Sequence, residues 1–280
     1  MNLILKPFAW VLPVCVLAAP PASTDSVTFP DKNLEAAVRY QVLKKRNTEE
    51  PLTEEDLSKI STLTAKGKGI RDLTGLDKCQ NLAALDLSGN QIVDLSPIQG
   101  LTSIQTLELS NNQIVDLGPL KELAQLQRLV ISGNQVGRLD ALSGLKALAS
   151  LFVTGNKVSE LTPLKNLTAL AMLDLEGNAV SDISALKGMT KLSLLNLKNN
   201  KVADLSPLAG YTELRHLFLE GTAASDLGVL IEMARKDSEG EKLFAPYWNV
   251  YISGEAGGAA RNSQIARLES YGVRVHAGSE

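Results

Sequence analysis

The sequence predicts an α/β solenoid: a horseshoe or arc with a parallel β-sheet on its concave face, short 3₁₀ or α turns on its convex face, and helical caps at both ends. Three observations lead there. Residues 60–235 are one 22-residue unit written eight times without insertion or deletion, the copies starting at Ile60, Leu82, Ile104, Leu126, Leu148, Leu170, Leu192 and Leu214. In each copy, apolar residues recur at period two over a short stretch, as in Leu85 and Leu87 or Leu107 and Leu109, which is the spacing of a strand. The pattern decays at both ends of the array: copy one carries Ala65, Lys68 and Cys79 at consensus positions, and copy eight carries Thr222 and Ala224. A unit of this size cannot bury its apolar face alone and does so by stacking on its neighbours, with atypical copies closing the ends.

Each position of the unit has its own physical task. The spacing L-x-x-L-x-L-x-x-N-x-I is the leucine-rich-repeat pattern. Positions four and six point inward from a short strand, and position one packs inward just before it. Stacked copies pair these strands in parallel at ~4.8 Å. Position nine is Asn90, Asn112, Asn134, Asn156, Asn178 and Asn200. An Asn column where the chain leaves the strand fits a ladder of side-chain bonds to backbone groups that would otherwise be buried unpaired. The return leg closes the core with Ile92, Leu95, Ile98, Leu101 and their counterparts. Ser96-Pro97, Gly118-Pro119, Thr162-Pro163 and Ser206-Pro207 read as cap-then-Pro pairs opening a short turn. Asp72, Asp94, Asp116, Asp182, Asp204 and Asp226 form a second polar column, read as turn and helix-end carboxylates in preference to a calcium ladder, since Arg138 and Glu160 interrupt it.

Composition narrows the function classes. A net charge of −3 lacks the basic footprint of a nucleic-acid binder, so no nucleic-acid partner is expected. Aromatic residues make up only 4% of the chain, as expected where Leu fills the core slots. Of the two cysteines, Cys79 occupies a core Leu position and reads as a small buried hydrophobe, so no internal disulfide is expected. No motif implies a cofactor or a metal.

Residues 1–22 read as a secretory signal peptide: Lys6 supplies charge, positions 8–19 an apolar run, and small residues follow. The run is about a dozen residues, short of the ~20 of a spanning helix, so no transmembrane segment is expected in the mature chain. The expected location is therefore secreted or in the periplasm or cell envelope. The alternative is lipid anchorage through Cys15, which follows the apolar run; Val14 before it is bulkier than the Gly or Ala usual there.

Residues 23–59 are expected to form the N-terminal helical cap. Asp31 can cap a helix bearing Leu34, Ala37, Val38 and Val42 on one face, and Lys44-Lys45-Arg46 at its end suits the negative pole of the dipole. Thr53 with Asp56 three residues on has the form of a capping box opening a second short helix. The segments Phe29-Pro30-Asp31-x-Asn33-Leu34-Glu35, Leu52-Thr53-x-Glu55-Asp56-Leu57 and Gly67-Lys68-Gly69-Ile70 together resemble the internalin-type cap of bacterial 22-residue repeats, and the resemblance runs through residues 29–235. It implies a bacterial cell-surface class of protein-binding modules with ligands on the concave sheet; an adhesin role would be analogy from fold.

Residues 236–280 are expected to be the C-terminal cap. Leu227, Leu230, Ile231 and Ala234 extend the last return leg into a helix, and a charged loop follows over 235–242. Val250-Tyr251-Ile252 restores the strand pattern as a ninth strand. A helix of about a dozen residues then carries Ile265 and Leu268 inward, ends at Gly272, and leads to an edge strand at Val273-Arg274-Val275.

The information about function sits in the outward strand positions. The central column reads Thr64, Asp86, Glu108, Val130, Phe152, Asp174, Asn196, Phe218, Tyr251; the one before it includes Arg128, Met172, Leu194 and His216. Val130, Phe152, Met172, Leu194 and Phe218 form an apolar band, with Asp86 and Glu108 on one flank and His216 and Tyr251 on the other. An exposed apolar surface with a polar rim is the anatomy of a recognition site. The expected function is an exported, non-enzymatic, monomeric module that binds a protein partner through Asp86, Glu108, Arg128, Val130, Phe152, Met172, Asp174, Leu194, Asn196, His216, Phe218 and Tyr251. A cell-envelope scaffold anchored through Cys15 is the alternative. A carbohydrate-acting enzyme using Asp86 and Glu108, whose carboxylates on adjacent strands could lie ~5 Å apart, is the least favoured reading, because the pair sits on an open face.

Overall fold

The computed structural model describes residues 26–240, 244–253 and 258–278; residues 1–22, expected to be a signal peptide, and with them Cys15, lie outside the described residues. Each of the eight copies contributes one three-residue strand: β1 Thr62–Thr64, β2 Ala84–Asp86, β3 Thr106–Glu108, β4 Arg128–Val130, β5 Ser150–Phe152, β6 Met172–Asp174, β7 Leu194–Asn196 and β8 His216–Phe218. Two longer strands, β9 Asn249–Ser253 and β10 Arg274–Gly278, complete a ten-stranded sheet whose spatial order is the chain order. Every neighbouring pair is parallel and in register by repeat position, Leu63 against Leu85, Leu85 against Leu107 and so on. A constant 22-residue period has this consequence: equivalent residues meet, so each letter of the repeat becomes a column across the sheet.

The inward columns form one continuous core from Phe29 in the first cap to Val273 before the last strand. In copies one to seven the return leg is a 3₁₀ turn, from Leu76–Lys78 to Ser206–Leu208. In copies two to seven its last residue is buried, beginning with Ile98, Leu120 and Leu142. The Asn ladder is present. Asn112 Oδ1 accepts the Ile92 N–H at 3.0 Å, while Nδ2 donates to Leu87 O at 3.0 Å and Leu109 O at 2.9 Å. The same three bonds recur through Asn200, which takes the Val180 N–H and gives to Leu175 O and Leu197 O. Position eight, just before this Asn, is left-handed in every copy. Gly fills it six times and Asn111 and Asn199 twice, with φ between 55° and 70°.

The Asp column caps the return turns. Asp94 Oδ1 accepts the Ser96 N–H at 2.8 Å, and Asp116, Asp182, Asp204 and Asp226 do the same two residues on. This corrects one detail of the cap-then-Pro reading: before Pro97, Pro119 and Pro207 the preceding residue is itself capped, and the acceptor is the Asp two positions earlier. Where Arg138 replaces Asp, it pairs instead with Asp140 at 3.0 Å.

At the N-terminal end, α1 Lys32–Gln41 and α2 Glu54–Leu57 cover the first copy. Asp31 caps α1 through Asn33 and Leu34 N–H groups, and its other oxygen accepts the Arg71 N–H at 2.8 Å, tying the cap to the first return leg. The Thr53/Asp56 capping box is complete. Helix α1 stops at Gln41, short of the basic run, so those residues serve contacts other than the dipole: Lys45 pairs with Asp56 at 2.7 Å and Arg46 lies 3.9 Å from the Tyr40 ring centroid. At the other end, α3 Gly228–Glu239 absorbs the start of the expected charged loop, because Arg235 pairs with Glu232 and Glu239 one turn either side. Helix α4 Gly258–Ser270 buries Leu268, and Gly272 turns the chain at φ 93° into β10.

Candidate functional site

The outward columns of the sheet place ten of the twelve sequence-predicted residues half-buried on one face, while Val130 at 9% and Asn196 at 7% exposure are closed in by their neighbours. Short parallel strands at fixed spacing hold all of them on rigid backbone, and each side chain takes its partners from the strands beside it.

Four polar members of the face are committed to local structure. Asp86 Oδ1 accepts both the N–H and the hydroxyl of Ser88, at 2.9 and 2.7 Å. Asp174 Oδ1 accepts the Glu176 N–H at 3.0 Å and the Thr154 hydroxyl at 2.9 Å. Asn196 accepts from the Lys198 N–H and donates to Glu176 Oε2 at 3.2 Å. Glu108 turns away from Asp86, although the two are in register, and takes the Arg128 Nε at 3.1 Å. The Arg128 guanidinium also lies 4.7 Å from the Phe152 ring centroid, so charge, cation and ring form one relay across β3 to β5. This arrangement gives Asp86 and Glu108 separate partners where a glycosidase pair would face a common bond.

The apolar band is diagonal. It follows the central column through Val130 and Phe152, shifts to the preceding column at Met172 and Leu194 because Asp174 and Asn196 occupy the centre there, and returns to the centre at Phe218. From Phe218 it becomes an aromatic column. The Tyr251 ring stacks on Phe218 with centroids 4.2 Å apart, and the His276 ring stacks on Tyr251 at 4.5 Å. His216 lies nearly parallel to both Phe218 and Tyr251, at 6.4 and 6.3 Å. Asn249 Oδ1 lies 3.0 Å from His276 Nε2, which fixes the orientation of the imidazole. Sequence reasoning missed His276 because it treated the last strand as ending at Val275. The signal was the alternation Arg274, His276 after a helix stop, which repeats the outward pair Asn249, Tyr251.

A depression of about 750 Å³ lies on the return leg between Val115 and Lys157, off the sheet face. It opens where Gly137 stands in place of Val93 and Val115 of earlier copies, both more than half exposed. The sheet face offers an extended surface of half-buried and stacked side chains. Among the described residues no group of three or more metal-ligating side chains occurs, and no helix is long and apolar enough to cross a membrane. The Cys79 thiol is pushed up to about 12 by burial, as befits a core side chain.

The family model for Leucine Rich repeats (2 copies) matches residues 80–122 and 168–210. No curated protein matches the chain in sequence. Among solved structures, an internalin (inlF) of Listeria monocytogenes superposes with a TM-score of 0.75 at 27% identity, covering 90% of this chain and 70% of that one. Internalin C2 of the same organism gives a TM-score of 0.69 at 34% identity, covering 72% of this chain and 89% of its own. The ectodomain of the Arabidopsis thaliana receptor kinase GASSHO1/SCHENGEN3, solved in complex with Casparian strip integrity factor 2, gives 0.52 at 25% identity over 57% of this chain and 21% of that one. With the 22-residue register, the capped N-terminus and 34% identity across most of internalin C2, the chain belongs to the internalin family of bacterial leucine-rich-repeat proteins.

Proposed function

We propose that this chain is an exported, non-enzymatic module that binds another protein through the outward face of β4 to β10. The observation that carries the reading is the continuous run Phe152, Met172, Leu194, Phe218, Tyr251, His276, bordered by the Glu108–Arg128 pair. Aromatic and Arg side chains in a partly desolvated setting are the residues that dominate recognition energies. The parallel ladder holds them in place before any partner arrives, so little ordering entropy opposes association. Membership of the internalin family and the ligand-bound receptor ectodomain of similar fold support the same reading. The enzyme alternative is disfavoured by the separate engagements of Asp86 and Glu108.

The test is affinity capture from the native extracellular or periplasmic milieu, with wild type beside the double variant Phe152→Ser, Phe218→Ser. The variant is expected to fold with an unchanged far-UV spectrum and to lose the captured partner. Equal capture by the folded double variant overturns the assignment to this face.

A further inference from the structure

The C-terminal end of the array contains a buried cation with no counter-charge among the described residues. Arg261, in the first turn of α4, is 8% exposed, and among the described residues the one bond its guanidinium makes is Nη1 to Ala224 O at 2.6 Å. Its Nε is buried without a partner, and among the described residues no charged neighbour offsets the burial that pulls its basicity down. The bond to Ala224 has a clear origin. In earlier copies the equivalent carbonyls of Ile70, Ile92, Ile114, Val136, Val158 and Val180 each accept an N–H from the next copy. Copy eight has no successor, and Arg261 supplies the missing donor. A neutral donor would serve that purpose, so the charge and the remaining guanidinium donors call for a separate account. Leaving a buried cation unpaired is costly.

Arg261 lines a cavity of about 120 Å³ with Leu219, Thr222, Ala223, Ala224, Ser225 and Ser253, several times the ~30 Å³ share of one water. Ser253 Oγ accepts the Gly221 N–H at 3.0 Å and keeps its own proton to donate, whereas the Thr222 proton is committed to Leu219 O. The neighbouring carboxylate of Asp226 is engaged by the Gly228 N–H and by Gln264. We infer that this cavity is an oxyanion site that takes one phosphate-class group, held by Arg261 and the Ser253 hydroxyl at the positive end of α4.

The experiment titrates the full chain with inorganic phosphate and, in a second arm, methyl phosphate, against chloride at equal ionic strength, and reads the unfolding midpoint. Wild type is expected to show a saturable rise of about 3 °C, absent in Arg261→Met and intact in Arg267→Gln, an exposed arginine on the same helix. Binding of both probes shows that a phosphoryl group carried on a larger molecule enters; binding of phosphate alone restricts the ligand to the free ion; either result supports the site. Should Arg261→Met fail to fold, calorimetric titration of Ser253→Ala decides, with phosphate affinity expected to fall about tenfold. No saturable rise in wild type, or affinity unchanged in Ser253→Ala, overturns the inference and leaves Arg261 as a ladder terminator.

Discussion

The Tyr251 ring lies 4.2 Å from that of Phe218, with the two planes 6° apart, although 33 residues separate them and β9 belongs to no 22-residue copy. The C-terminal cap thus continues the outward column of the repeats. An aromatic pair in this geometry contributes about 0.5–1.5 kcal/mol beyond its area burial. Tyr251→Ala is expected to weaken partner capture at least as much as Phe218→Ser alone and to leave the unfolding midpoint within about 3 °C of wild type. A midpoint collapse in Tyr251→Ala would show instead that the stack holds the cap to the array.

The repeat itself was fully legible in the sequence, because a period-two strand and a fixed 22-residue interval leave one way for Leu85, Leu107 and Leu129 to meet. The columns of the face followed from the same arithmetic. What the sequence left hidden depends on side-chain direction. Asp86, Asp174 and Asn196 look like free recognition groups in a column, yet each turns back to its own strand end, since an Asx oxygen reaches the N–H two residues on more readily than solvent. Position eight hides its constraint for a related reason: Gly and Asn share it, and only the positive φ shows why.

The Asn ladder predicts a large cost in the middle of the array. Asn134 is 8% exposed, accepts the Ile114 N–H at 3.0 Å and donates to Leu109 O and Ile131 O. Asn134→Ala strands the buried Ile114 N–H and leaves Leu109 O and Ile131 O one ladder donor each, from Asn112 and Asn156, so a loss of about 1–3 kcal/mol is expected. Chemical denaturation of the variant beside Thr222→Ala, at the last rung, measures it; the terminal change is expected to cost less than half as much.

Gly133 and Gly155 separate the two costs of a side chain at position eight. Both have positive φ, 67° and 65°, which penalises any Cβ by about 1 kcal/mol. A methyl on Gly155 meets nothing closer than 3.9 Å, whereas one on Gly133 runs into the Asn111 amide. Gly133→Ala is expected to destabilise by about 1 kcal/mol more than Gly155→Ala, and adding Asn111→Gly should recover that difference. Equal losses in the two single variants would remove the steric part of the argument.

Asp56 ties acid stability to the N-terminal cap. Its Oδ2 takes the Lys45 ammonium at 2.7 Å, the Thr53 hydroxyl at 2.7 Å and the Thr53 N–H at 3.0 Å. Burial pushes the carboxyl up, but these three donors outweigh it and hold it down at about 2, against an ordinary 3.8. The depressed value means the ionised form is favoured in the folded state. The stabilisation, about 2 kcal/mol at most, is therefore complete above the unfolded value and is lost as pH falls from about 4 through 2. Asp56→Asn is expected to unfold earlier than wild type in denaturant at pH 7, with the two curves converging by pH 2. A gap that persists at pH 2 would assign the loss to the capping bonds, since the amide offers one acceptor oxygen and an NH2 donor where the carboxylate offers two acceptors.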